Sequence, residues 1–345
     1  MKTYQDALLA PYTSLNVGGV AETLLLPDSY DEYLTALSQH PEAHILGFGC
    51  NALISDAGLP GVTIMMRSGG IESNGTTLVA DAGLWWDDLV QQSITQNLWG
   101  LELLSQVPSS VGGAVYGNIA CYGQQISDTL AWVEVFDRRS DTKYRLTTSD
   151  IPMGYRTGDL QNRPELVILR AAFDLSVSKK QELVYDSALV VADELGLDRD
   201  NLTDRRDIII ETRRRAGSIY SFDDPSVEHS AGSFFKNPLV STEQATELAR
   251  YDESGKTLER IQQQSQVHGG DTHRASAAHV LLAAGFHRGQ AWGPVQLHDN
   301  HVLKIVTRDG ATATQVYDVA QEILATVRQK LGIELEPEVK FIGKF

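Results

Sequence analysis

The order of its segments predicts an α+β chain of two or three domains and not one doubly wound sheet. Three observations carry that prediction. The chain has 345 residues, more than one simple core accommodates. Its opening reads as a βαβ-like unit, whereas its middle is a run of strands followed by helices. It closes on one strongly periodic helix and a strand-like LEPEVKFIG.

AETLLLP (21–27) reads as the first strand. Ser29 then precedes Glu32 at capping-box spacing, and Tyr33, Leu34 and Leu37 share a helical face up to Pro41. HILGF (44–48) and VTIMM (62–66) are strands on either side of a glycine-containing loop. TLVADAG (77–83) is a strand, 85–97 a helix and 105–123 a long loop. LAWVEVFD (130–137), YRLT (144–147) and ELVILRAAFDL (165–175) restore strand character, and helices follow near 186–196 and 204–216. Ser241-x-x-Gln244 caps another helix, and 275–284 reads as helical. Residues 251–274 are polar and read as a loop or insertion. Val316, Val319, Ala320, Ile323, Leu324, Val327 and Leu331 recur at helical spacing, with Gly332 as the stop.

A hydrophobic fraction of 42% with 21% charged residues is that of an ordinary soluble globular protein. A formal net charge of −16 argues against nucleic acid or an anionic membrane as a bulk partner. Phosphorylated small molecules stay open, because Arg213-Arg214-Arg215 could bind them locally. Cys50 and Cys121, without a CxxC, allow at most one disulfide and no zinc set. His298 and His301 lack a convincing third ligand, so no metal site is expected. The N-terminal run has no apolar core of a signal peptide, and no stretch is long and apolar enough to cross a bilayer. A cytoplasmic monomer is the expectation.

Two runs are rich in glycine. GFGCNAL (47–53) follows a strand and reads either as a phosphate cradle or as a simple turn; it lacks the third glycine and helix of a dinucleotide fingerprint. VPSSVGGAVYGNIACYG (107–123) holds four glycines, two serines and Asn118 without a charge, which suits a diphosphate bound through amides and hydroxyls. Three single residues stand out. Arg156 lies in MGYRTGD, where a surface arginine is the ordinary reading. Ser233, in AGSFFKNP (231–238), is either a strand end before a turn or a proton donor in a dry pocket. Glu338 in LEPEVKF shares a strand face with Glu336 and Lys340, and the pattern favours a solvated face.

Taken in order, GFGCNAL, VPSSVGGAVYGNIACYG, GYR, AGSFFKNP and LEPEVKFIG, with YTSLNVGGVAE at the start, resemble the UDP-N-acetylenolpyruvoylglucosamine reductase family over nearly the whole chain. The resemblance implies an FAD enzyme of peptidoglycan precursor synthesis. NADPH would supply a hydride, passed through the flavin to C3 of UDP-N-acetylglucosamine enolpyruvate, and a serine would protonate C2. It implies three domains: 1–67 with 334–345 and 68–217 forming a vanillyl-alcohol-oxidase-type FAD unit, and 218–333 closing over the substrate. Ser233 would be the proton donor, with Arg156 and Glu338 at the other two catalytic positions and the Glu338 carboxyl raised in pKa by burial. Gly47, Gly49, Cys50, Asn51, Ser110, Gly112, Gly113, Asn118 and Gly123 would hold the cofactor. Tyr185, Lys236 and Asn237 would bind substrate; His301 matches a family histidine without an assigned role.

The chain also departs from the pattern. Cys50 and Ser109 replace a serine and a glycine, and Cys121 an alanine. Thr157-Gly158 follow Arg156 where a serine is frequent. Leu282 stands where a glutamate is frequent, RRRAGSIY lacks an Arg-x-x-Lys spacing, and 251–274 matches poorly. These affect the substrate-closing part and leave the catalytic trio intact. Two other readings compete: an FAD oxidase of the same fold acting on an alcohol or sugar, and a flavin- or nucleotide-binding regulator without turnover. Retention of Ser233, Arg156 and Glu338 together favours the reductase.

Overall fold

Helix and sheet segregate into two compact units in a computed structural model, which describes every residue except 225, 253–254, 260 and 262–271. The first unit comprises Met1–Tyr12, Gly19–Cys50 and Gly58–Val227, and the second Thr13–Gly18, Asn51–Ala57 and Glu228–Phe345. The α+β class holds in each.

The first unit opens with a four-stranded sheet in the order Lys2–Leu8, Val20–Leu26, Leu59–Met65, His44–Leu46. Lys2–Leu8 runs antiparallel at the edge; the other three are parallel, as the βαβ reading requires. The helix Tyr30–Gln39 crosses between two of them and buries Tyr33, Ala36 and Leu37. Ser29 Oγ accepts from the Glu32 amide, but the Glu32 carboxylate turns to the Asp28 amide instead of completing a capping box. A five-stranded antiparallel sheet follows, ordered Thr142–Thr147, Leu130–Asp137, Leu166–Asp174, Thr77–Asp81, Ile71–Asn74. Its core gathers around Trp86 and Phe173, both fully buried.

The stretch expected as one loop, 105–123, contains a helix, Val111–Gly117. Glycine disfavours a helix by about 1 kcal/mol per residue. Burial of Val111, Ala114 and Val115, and a cap from Ser110 Oγ to the Gly113 amide at 3.0 Å, offset that cost. The helix Leu202–Arg215 is fixed by buried charge, and Asp186–Leu195 packs on it through Ala188, Val191 and Ala192. Arg205 and Glu102 are 0% and 1% exposed and pair at 3.1 Å. The rest of the pair is also satisfied: Arg205 donates to the Gln181 carbonyl, and Glu102 accepts from the Gly100 amide. Next to it on the helix, Arg206 holds the buried Asp87 carboxylate with two hydrogen bonds.

The second unit is built on a four-stranded antiparallel sheet, His229–Ser233, His301–Thr307, Val295–His298, Ala291–Trp292. Against it lies the helix Ala313–Leu331, which buries Val316, Val319, Ala320, Ile323 and Val327 as the spacing predicts and ends at Gly332, φ +64°. Its start is capped twice: Thr312 and Gln315 form a capping box, and Asp56 accepts from the amides of Ala313 and Thr314. The 251–274 region lies mostly outside the described residues, but its end, Thr272–Arg274, is a strand paired with Leu239–Ser241 and not loop. Finally, Lys340–Ile342 lies parallel to Ala52–Ile54.

Removing one member of a buried ion pair leaves the other charge uncompensated, at about 3–5 kcal/mol. Glu102→Gln is therefore expected to cost that much in urea unfolding. Arg214→Ala, which removes an exposed partner of Glu211, is expected to leave the urea midpoint nearly unchanged. Equal small losses in both would show that the buried pair is dispensable.

Candidate active site

Ser233 owes its place to a bulge. The strand His229–Ser233 pairs with His301–Thr307, His229 opposite Thr307 and Ser230 opposite Val306, but Ser233 opposite Lys304. Ala231 and Gly232 absorb the extra residue, and Gly232 takes φ +76° to do so. A Cβ there would meet nothing within 4 Å, so the glycine answers a backbone requirement and not crowding. Phe234 and Phe235 follow, 0% and 2% exposed, and anchor the segment in the core of the second unit.

Those two residues also join the chain's later segment. Glu338 N–H donates to the Phe234 carbonyl at 2.8 Å, Phe235 bridges Pro337, and Lys236 N–H donates to the Glu336 carbonyl. Asn51 adds a third strand of chain: its Nδ2 donates to the Glu338 carbonyl at 3.2 Å and its own carbonyl accepts from Lys340 N–H. Ser233, Glu338 and Asn51 are thus brought together in the second unit. The alternation of LEPEVKF is kept, with Val339 buried and Glu336 and Lys340 exposed. Glu338 is drawn in to half-buried, off the fully solvated face that its pattern favoured.

The remaining candidates of this unit have structural partners as well. Lys236 Nζ lies 3.2 Å from Glu336 Oε2. Asn237 Oδ1 accepts from the Ala277 amide, fixing the start of the helix Ala277–Ala283, and its carbonyl accepts from Arg274. Leu282, on that helix, packs half-buried against the core. His301 is held neutral: burial, then the Lys304 charge, pushes its pKa down to about 4.

Arg156 lies in the first unit, at the tip of a two-residue hairpin between Met153–Gly154 and Thr157–Gly158. Its φ of +54° is left-handed, which costs a non-glycine residue roughly 1–2 kcal/mol. Asn118 holds the hairpin in place. Its Nδ2 donates to the Gly154 carbonyl at 2.9 Å while its Oδ1 accepts from the Ser127 amide. The second glycine run therefore positions Arg156, a role its composition did not suggest.

The two glycine runs meet in this unit. A Cβ on Gly47 would stand 2.5 Å from Ser110 Oγ, and one on Gly112 2.9 Å from Ala82 Cβ. The amides of Val111, Gly112 and Gly113 are taken by the Leu84 and Ala82 carbonyls and by Ser110 Oγ. In the other run, Gly49 has φ +66° and no acceptor is assigned to the Phe48 or Gly49 amide among the described residues. Cys50 is buried, which pushes its thiol up to about 12, so it stays neutral. Neither cysteine forms a disulfide among the described residues. A Cβ on Gly123, φ +89°, would stand 4.0 Å from the Tyr185 ring, which meets Tyr122 edge-on at 5.5 Å.

Sequence reasoning missed Arg67. Its guanidinium lies over the rings of Phe48 and Phe222, 4.5 and 4.4 Å from their centroids, beside the first glycine run. Among the described residues it makes no ion pair, and burial pulls its pKa down. The signal was a single cation closing the apolar VTIMMR, too slight to notice alone. The arginine triplet turns out differently from its reading as a phosphate patch. Arg214 and Arg215 are engaged by Glu211, whose carboxyl they hold down to about 2, and Arg215 also by Glu194. Arg213 is buried, donating to the Ser218 carbonyl and to Cys121 Sγ.

Residues 224–342 match the family model of the UDP-N-acetylenolpyruvoylglucosamine reductase C-terminal domain, and residues 22–143 match an FAD binding domain. The chain is 32% identical over 349 residues to the UDP-N-acetylenolpyruvoylglucosamine reductase of Thermobifida fusca, covering 97% of this chain and 96% of that protein. The Streptomyces coelicolor protein of the same name is 31% identical, covering 98% and 90%. The crystal structure of the reductase from Thermus caldophilus aligns with a TM-score of 0.66 at 23% identity, over 99% of this chain and 98% of that one, and shows a shared fold.

Gly232→Ala should strain the bulge without filling any space. The expected loss is about 1–2 kcal/mol in urea unfolding. A neutral result would mean that the bulge does not depend on its left-handed residue.

Proposed function

The chain belongs to the UDP-N-acetylenolpyruvoylglucosamine reductase family, and from that premise we propose how its residues perform the family's reaction. The protein is an FAD-dependent oxidoreductase that reduces UDP-N-acetylglucosamine enolpyruvate to UDP-N-acetylmuramate in peptidoglycan synthesis, with NADPH as the electron donor.

The first unit's donor set fits a flavin dinucleotide. The Phe48 and Gly49 amides and the Arg67 cation suit a diphosphate, and the small residues Gly47, Ser110, Gly112 and Gly113 leave no bulk at the junction of the two runs. We also assign Cys50, Asn118 and Gly123 of this unit, and Asn51 of the second, to the cofactor. When bound, FAD carries the two electrons from NADPH to the substrate.

Ser233 donates the proton to C2 of the enolpyruvyl group. A serine hydroxyl is a weak acid, so it serves only where the accepting carbon is electron-rich and within hydrogen-bond reach. Arg156 grips the enolpyruvyl carboxylate with its planar fork and offsets the negative charge that develops there. Glu338 polarises the same carboxylate from its other side. Tyr185, Lys236 and Asn237 bind the nucleotide-sugar. The observation that carries this reading is the junction in the second unit, where a bulge, two buried phenylalanines and four inter-segment hydrogen bonds join the segments that hold Ser233, Glu338 and Asn51. An oxidase would not need Ser233, Arg156 and Glu338 together.

The three-domain division, 1–67 with 334–345, 68–217 and 218–333, remains our functional partition. It is supported at one point by the pairing of Ala52–Ile54 with Lys340–Ile342. We also propose a cytoplasmic monomer; among the described residues no helix is long and apolar enough to cross a membrane.

An anaerobic spectral titration tests the function: NADPH should bleach the flavin and UDP-N-acetylglucosamine enolpyruvate should restore its colour. Recovery with oxygen alone would indicate an oxidase, and a colourless protein would sink the assignment. In Ser233→Ala, bleaching should be unchanged while recovery slows on the order of 100-fold or more, as loss of a proton donor dictates. Equal slowing of both steps would remove Ser233 from its role.

A further inference from the structure

Lys304 sits in the middle of HVLKIVT, the strand His301–Thr307. Its neighbours Val302, Leu303, Ile305 and Val306 are all buried, and Lys304 itself is only 3% exposed. Lysines ordinarily extend their stems to keep the ammonium in water. An ammonium kept inside an apolar run is costly, and buried ionisable groups of this kind concentrate where a fixed charge is used.

The register says what lies beside it. A ladder continued regularly from His229–Thr307 and Ser230–Val306 would set Ser233 opposite Leu303. The bulge at Ala231-Gly232 shifts the pairing by one residue and sets Ser233 opposite Lys304. Phe234 N–H then donates to the Leu303 carbonyl at 2.8 Å and locks the new register. Residues directly opposite in an antiparallel pair project from the same face, with Cβ atoms about 4.5–5.5 Å apart. A shift of one residue moves a strand's side chains to the other face, so the bulge decides whether Ser233 has a leucine or a lysine beside it.

The neighbouring imidazoles leave the positive charge to Lys304. Burial, then Lys304, holds His301 neutral. Burial also lowers the pKa of His298, which lies 2.6 Å from Glu228 through Nε2 and accepts from the Asn300 amide at Nδ1.

We propose that Lys304 is a positioning residue for Ser233, whose ammonium stabilises the alkoxide formed when the serine gives up its proton. In that step the Oγ–H bond breaks and the C2–H bond of the product forms. The alkoxide then recovers a proton from solvent, and Lys304 keeps its own protons throughout. The inference rests on Ser233 being the donor.

The test uses the full FAD-loaded chain with Lys304→Met, Lys304→Gln and Lys304→Arg, and Ser233→Ala as the reference. Bleaching by NADPH, recovery with substrate and the solvent deuterium isotope effect on recovery are read separately. In Lys304→Met, bleaching should be unchanged and recovery should slow on the order of 100-fold, the scale of losing one group that stabilises an oxyanion. Its isotope effect should rise, because proton transfer from the serine becomes the slow step. Lys304→Arg should restore most of the rate, and Lys304→Gln gives the same readings should the methionine variant not fold. Wild-type recovery in Lys304→Met alongside a slow Ser233→Ala would overturn the inference alone. So would equal slowing of both steps, the mark of a structural lysine. Normal recovery in Ser233→Ala would instead remove the donor reading, and this inference with it.

Discussion

A hydrogen-bonded junction of three remote segments governs the second unit. The Glu338 carbonyl receives Asn51 Nδ2, the Glu338 amide gives to Phe234, and Lys340 closes onto Asn51. None of these contacts is local. Each segment is held elsewhere by something ordinary: Phe234 and Phe235 by the core, Ala52–Ile54 by parallel pairing, and Glu338 by the buried Val339 beside it. Side chains carried at the junction inherit the precision of backbone bonds, which loops of this length would not supply unaided.

The first unit reaches similar order by other means. Charge is buried where helices must be fixed, at Glu102–Arg205 and Asp87–Arg206, and each carboxylate has further donors. Such pairs add little net stability over an apolar core but penalise every misplacement of the helix that carries them. The glycine runs do the opposite work. By omitting side chains at Gly47 and Gly112 they let two stretches touch, and Asn118 passes that order on to the Arg156 hairpin.

Much of this was legible in the sequence. The strand Leu130–Asp137 and the helix Ala313–Leu331 follow their periodicities to within a residue or two, because packing and local preference agree there. The helix Val111–Gly117 was not legible: glycine content argued for a loop, and only tertiary burial makes it helical. The edge strand Lys2–Leu8 escaped notice since nearly all of it is exposed, which removes the alternation a reader looks for. The arginine triplet misled by composition, although Glu211, three and four residues before Arg214 and Arg215, was there to be counted. In the candidate site, Ser233 and Glu338 were visible through motif resemblance. Arg67 was not, as a lone cation closing an apolar run has no pattern until the rings it lies over are seen.

The junction also imposes an order on synthesis. Asn51 and Glu338 are 287 positions apart, so closing that contact waits for most of the chain to leave the ribosome. Pairings of such separation are late and slow to form, since the loop entropy must be met before any contact repays it. A nascent chain ending at residue 330 would already display Ser233 and both glycine runs, yet lack the segment that completes the junction. An unfinished molecule thus carries these segments without the junction that joins them, a consequence of topology alone.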